Sequence, residues 1–158
     1  MVIILGIDPG SRYTGWGVIS IVGSRMQLVA ADRVVLGDRP HEERLVLIYD
    51  AIGDTVTQYQ PDLVAVETVF VSKNVQSALK LGQARGAAIV AAAKFGLPLV
   101  EVSPRLVKKV VTGYGGASKM GVGDMVARLL STQQTLSEDA ADALAIAISA
   151  SSMTRSKV

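Results

Sequence analysis

With 158 residues, 49% of them hydrophobic, and a formal net charge of +2, the chain has the size of one domain and enough apolar material for a core. No apolar run approaches the ~20 residues a membrane span needs, and the opening stretch reaches Asp8 too soon for a signal peptide, so a cytoplasmic protein is expected. Cysteine is absent, which excludes disulfides, zinc–thiolate sites and thiol nucleophiles; carboxylates and the single His41 remain as ordinary metal ligands, a set suited to a hard cation.

The apolar run 2–7 ends at Asp8-Pro9-Gly10 and predicts a buried strand followed by a turn. Stretches 14–22 and 26–36, rich in Val and Ile and separated by Gly23-Ser24, predict two more strands in an antiparallel meander. Over 41–60 the residues Leu45, Ile48, Ile52, Val56 and Tyr59 recur at spacings of three and four, which predicts a helix closed by Pro61; 62–67 returns to strand. The alanine-rich stretch 75–95 predicts a long helix with Ala78, Leu81, Gly82, Arg85, Gly86, Ile89 and Val90 on one close-packing face, stopped by Gly96. A fifth strand follows over 98–102, then a helix starting at Ser103-Pro104, a glycine-rich break over 113–117, and two helices over 119–130 and 137–150. The sequence leaves open whether the tail after about residue 151 is ordered or disordered. The whole is expected to be one α/β domain spanning 1–158, a five-stranded mixed sheet flanked by helices on both faces.

The right-handed crossover rule places the fourth strand parallel to the first, so Asp8 and Glu67 end neighbouring strands at one edge of the core. Asp139 and Asp142, three apart, project from one face of the last helix. Gathering four acids costs several kcal/mol of like-charge repulsion unless a cation offsets it, so such a cluster implies bound metal. Two Mg²⁺ ions there, with Mn²⁺ as a substitute, would serve phosphodiester hydrolysis. Each acid also has a plain reading: Asp8 as a turn residue, Glu67 as a solvated strand end, Asp139 as a favourable charge in a helix's first turn. Asp142 is harder to dismiss, because its neighbours are small and apolar and an unpaired charge among them would be expensive.

Charge is unevenly spread: residues 1–72 carry five basic and nine acidic side chains, 73–128 nine and two, and 129–158 two and three. A basic middle between acidic flanks suits a protein that neutralises phosphates with one region and holds cations with the others, although a solvated lysine face would look the same.

Taken together, the segments 4–12, 14–18, 66–74, 77–86 and 139–147 resemble the bacterial RuvC family of Holliday junction resolvases, in order and over nearly the whole chain. The resemblance implies a ribonuclease H-like fold, catalytic roles for Asp8, Glu67, Asp139 and Asp142, and resolution of four-way DNA junctions in recombination and repair. It further implies that Phe70 stacks on bases at the junction centre, although a lone Phe commonly packs in a core. Lys73 and Asn74 adjoin it, and Lys108 and Lys119 match positions that are basic in the resemblance, where they would bind the scissile backbone; Lys109, Lys80 and Lys94 read as surface lysines. The chain departs from the family after Lys119, where Met120-Gly121-Val122 lacks a polar residue ahead of the valine. A two-fold dimer through Gly82, Arg85, Gly86 and Ile89 is implied, with an internal helix partner as the other reading of the two glycines. The RuvA and RuvB branch-migration complex is the implied partner, and the bacterial nucleoid the implied place of action.

Two other readings share the opening strand or the acids. An actin-like or sugar-kinase ATPase lobe begins similarly but needs a second lobe, and a resolvase-like nuclease acting on RNA would use the same carboxylates.

Overall fold

The computed structural model describes residues 1–69, 73–113 and 119–155. Strands β1 (Val2–Asp8), β2 (Tyr13–Val22) and β3 (Arg25–Val35) are followed by α1 (His41–Tyr59), β4 (Leu63–Glu67), α2 (Val75–Ala93) and β5 (Leu99–Val102). Helices α3 (Pro104–Thr112), α4 (Lys119–Leu129) and α5 (Glu138–Arg155) complete the chain. The sheet order is β3-β2-β1-β4-β5. β1, β2 and β3 form the expected antiparallel meander, while β4 pairs parallel to β1 and to β5.

Two separate cores lie on the two faces. Ile4, Ile19, Leu63, Ala65 and Val102 pack with residues of α3, α4 and α5 on one side. Leu5, Ile7, Val18, Val64 and Val66 pack with α1 and α2 on the other. Alternation along β1 and β4 sends successive side chains to opposite cores, as a central strand covered on both faces requires.

Local chemistry sets the helix ends. Gln60 takes a left-handed conformation at φ 46° and returns its N–H to the Val56 carbonyl, ending α1 just ahead of Pro61. Ser103 caps α3 by accepting from the Leu106 N–H, with Pro104 next, and Gly113 closes that helix at φ 77°. The Ser137 hydroxyl accepts from the Ala140 N–H at 3.2 Å and starts α5. α5 then runs past residue 151 to Arg155. Its serines are compatible with helix because their hydroxyls donate back to the preceding turn, Ser149 to the Ala145 carbonyl at 2.8 Å and Ser151 to that of Ile148 at 2.6 Å.

Candidate active site

On β1, Ile4 belongs to the core beneath α5 and Gly6 meets Ala143 and Ala147 of that helix, so Asp8, next in this row, projects to the α5 side. Glu67 continues the row of Leu63 and Ala65 on β4 and projects to the same side. Pairing of β1 with β4 stops at Ile7–Val66, so each acid stands one residue beyond the shared ladder. There α5 contributes Asp142. Asp8, Glu67 and Asp142 line one cavity of about 210 Å³ together with Lys108, between apolar walls that include Val107 and Val122. All three acids and Lys108 are half-buried. A second cavity, of about 420 Å³, adjoins it through Asp142 and runs between α4 and α5 past Ala127, Leu136 and Ala141.

How closely α5 can approach decides whether Asp142 reaches the strand ends. The sheet offers it Gly6, Gly15 and Gly17 in place of side chains, with Gly6 opposite Gly17 and Asp8 opposite Gly15 on the paired strands. A Cβ at Gly6 would collide with the Ala143 carbonyl, and one at Gly15 with that of Asp139. The helix answers with alanines at 140, 141, 143, 145 and 147. These glycines escaped the sequence reading as structural determinants, although Gly15 and Gly17 at a spacing of two are a legible sign of a strand face left bare.

Asp139 does not join the cleft. Its Oδ2 lies 3.4 Å from Arg33 Nη1 on β3, and the Arg33 guanidinium in turn stacks 4.3 Å above the Tyr13 ring. The first turn of α5 faces β2 and β3, where Arg33 offers a cation. The expected four-acid cluster is therefore three acids in one cleft and a fourth on an arginine. Among the described residues, no three His, Asp or Glu side chains are gathered closely enough to hold one ion. His41 is likewise elsewhere: its Nε2 lies 2.6 Å from Gln83 Oε1, linking α1 to α2.

The family model of crossover junction endodeoxyribonuclease RuvC matches residues 4–150. The chain belongs to the RuvC family. It is 53% identical over 150 residues to the RuvC of Pasteurella multocida, covering 94% of this chain and 78% of the relative, and equally identical to that of an Enterobacter strain, covering 94% and 86%. Thermus thermophilus RuvC in complex with a Holliday junction superposes with a TM-score of 0.92 at 32% identity, covering 99% of this chain and 97% of that one. These structures carry the ribonuclease H-like fold, and the mixed sheet with its helices shares it. The chain is a nuclease of that family, and no described helix is long and apolar enough to cross a membrane.

The remaining family positions are distributed as follows. Lys108 faces the cleft, whereas Lys109 is exposed away from it. Lys73 is exposed just before α2, and Asn74 is the cap of that helix, its Oδ1 accepting from the Ser77 N–H at 3.2 Å. Phe70 lies outside the described residues, as does the side chain of Lys119. On α2, a Cβ at Gly82 or Gly86 would meet nothing among the described residues, and Leu79 and Val90 on the same helix are 64% and 58% exposed. Ile89 is half-buried against the α1–α2 core. Arg85, grouped by sequence with the dimer surface, is instead committed inside its own chain. Its Nε donates to the Glu67 carbonyl at 2.9 Å and its Nη2 lies 2.8 Å from Glu101 Oε2.

Proposed function

We propose that this chain, as a homodimer, resolves four-way (Holliday) DNA junctions by paired, symmetric, metal-dependent phosphodiester hydrolysis in recombination and DNA repair. The observation that carries the reading is the meeting of Asp8, Glu67 and Asp142, from three separate elements, in one cleft beside Lys108. An all-oxygen donor set in a half-buried cavity fits a hard divalent cation. Asp8, Glu67 and Asp142, with Asp139 rotated away from Arg33, would hold two Mg²⁺ ions, for which Mn²⁺ substitutes. When bound, the ions supply Lewis acidity for in-line attack of water on the phosphodiester.

The protein's own part is to place and neutralise. Lys108, from the wall of the cleft, and Lys119 bind the scissile backbone, and Lys73 and Asn74 hold the DNA beside it. Phe70 stacks on a base at the opened junction centre, a contact worth ~1–3 kcal/mol. Two symmetric nicks need two symmetric sites, and the bare glycines of α2 with their exposed apolar neighbours give a second copy a surface on which to dock. The RuvA and RuvB branch-migration complex would deliver the junction in the cytoplasm at the nucleoid; joint retention of the three proteins on an immobilised junction tests this, and failure to form that assembly removes it.

The deciding experiment incubates the protein with a mobile synthetic junction, a linear duplex and an RNA duplex in Mg²⁺ or Mn²⁺, beside Asp8→Asn. Paired symmetric nicks in the junction alone, with a variant that binds and does not cut, are expected. A junction bound but never cut under either ion would overturn the reading. The dimer is tested by sedimentation: Gly86→Leu should shift the mass toward the monomer.

A further inference from the structure

The Glu67 strand end has a support that the catalytic reading alone does not require. β4 loses its β1 partner after Val66, so the peptide that carries the Glu67 carboxylate depends on what else holds it. On one flank, the Thr68 N–H donates to the Val102 carbonyl of β5 at 2.9 Å. From the opposite sheet face, Arg85 of α2 donates Nε–H to the Glu67 carbonyl at 2.9 Å and sets Nη2 2.8 Å from Glu101 on β5. Nη2 is sealed from solvent and forms a contact ion pair there without aligning an N–H on the oxygen. The Arg85 side chain is only 18% exposed, while Glu101 stands at 55%. Among the described residues, the buried side-chain polar atoms lacking a hydrogen-bond partner are this Nη2 and Thr68 Oγ1, and both flank the Glu67 peptide. A largely buried guanidinium spent on one main-chain carbonyl and one carboxylate ties the Glu67 peptide to α2 and β5 at once.

We propose that Arg85 is a positioning residue for catalysis: gripped by Glu101, it fixes the main chain of Glu67 and so the reach of that carboxylate into the cleft. The inference rests on the proposed nuclease reading. It also links α2, whose outer row is the proposed dimer surface, to the catalytic edge through one guanidinium. The role is specific to arginine. A guanidinium presents Nε to the carbonyl and Nη2 to the carboxylate from one rigid plane, whereas lysine has all three of its donors on a single nitrogen and cannot reproduce both contacts in that geometry.

The experiment compares wild type, Arg85→Lys, Arg85→Ala and Glu101→Gln in three measurements: single-turnover junction cleavage, junction affinity, and Mn²⁺ affinity by calorimetry without DNA. Because misplacing a catalytic group by about 1 Å costs roughly a hundredfold in rate, Arg85→Lys and Arg85→Ala should both cut tenfold to a hundredfold more slowly. Their junction affinity and dimer mass should be unchanged, and their Mn²⁺ binding weakened. Glu101→Gln, removing an exposed partner, should slow cutting only about twofold to fivefold. Rescue of both rate and Mn²⁺ affinity by lysine would overturn the positioning role and leave the nuclease reading intact, since charge alone would then suffice. A variant monomer with normal Mn²⁺ affinity would also overturn it, assigning Arg85 to the interface. A wild type that cuts no junction overturns the nuclease reading and this inference with it.

Discussion

On one face of the sheet, α5 lies directly against Gly6, Gly15 and Gly17, whereas on the other α1 is held off by Ile48, Ile52 and Val56, clustered with Leu5, Ile7 and Val18, and α2 buries only alanines, Ala84, Ala88, Ala91 and Ala92. The first contact leaves no room for even a methyl group at Gly6 or Gly15, because carbonyl oxygens of α5 already occupy the place. The α1 contact is filled by long aliphatic chains that can readjust. Asp142 rides on the close face, and the acids of the two strand ends point toward it. Where Asp142 has to reach the strand ends, the fold removes side chains from the contact; beneath α1, where only area is buried, it uses large ones.

Three substitutions probe that difference. The largest effect belongs to the cleft itself: Asp142→Asn should slow single-turnover junction cleavage by about a thousandfold or more, since a metal site contributes several kcal/mol to the barrier. Its unfolding free energy should be equal or higher, because repulsion among three neighbouring carboxylates is relieved. A loss of activity matched by a collapse in stability would mean that Asp142 is structural. Next, on the far face, Ile52→Ala should cost about 2–5 kcal/mol in urea unfolding, yet the molecules that remain folded should cut at the wild-type rate. Gly6→Ala should cost at least as much, roughly 3 kcal/mol or more, because the new Cβ would overlap backbone atoms of α5. It should also slow cleavage by the folded fraction tenfold or more, because α5 must shift and carries Asp142 with it. Equal rates for Ile52→Ala and Gly6→Ala, each normalised to folded protein, would erase the distinction between the two faces.

What was legible in the sequence follows the same division. Periodicity located all five strands, and the alternation of apolar residues with known crossover handedness was enough to bring Asp8 and Glu67 side by side. Capping chemistry at Ser103, Pro104 and Ser137 marked two helix starts. Asp142 stood out because its surroundings were too apolar for an idle charge. Asp139 was grouped with it on spacing and on the family resemblance, and neither says anything of a cation on β3 that is 106 residues away in the chain. Arg85 was hidden for a related reason: its position on α2 says which stripe it borders, whereas its partners, Glu67 and Glu101, lie at the ends of β4 and β5. Long-range polar contacts leave little trace in local pattern.

The smallest expected effect sharpens the comparison from its edge. Arg33 and Asp139 meet at 3.4 Å with side-chain exposures of 39% and 27%, so water and salt screen the pair. Asp139 also sits in the first turn of α5, where the helix terminus already favours its charge. Arg33→Ala should therefore change stability by at most ~1 kcal/mol, and by less as salt is raised toward 1 M. Thermal or urea unfolding at two salt concentrations is the measurement. A salt-independent loss of several kcal/mol would mean that the pair is sequestered and that Asp139 is locked where the sheet holds it. The small, screened value would leave Asp139 free to exchange Arg33 for a cation at little cost, which is what membership in the metal site demands of an acid that starts outside the cleft.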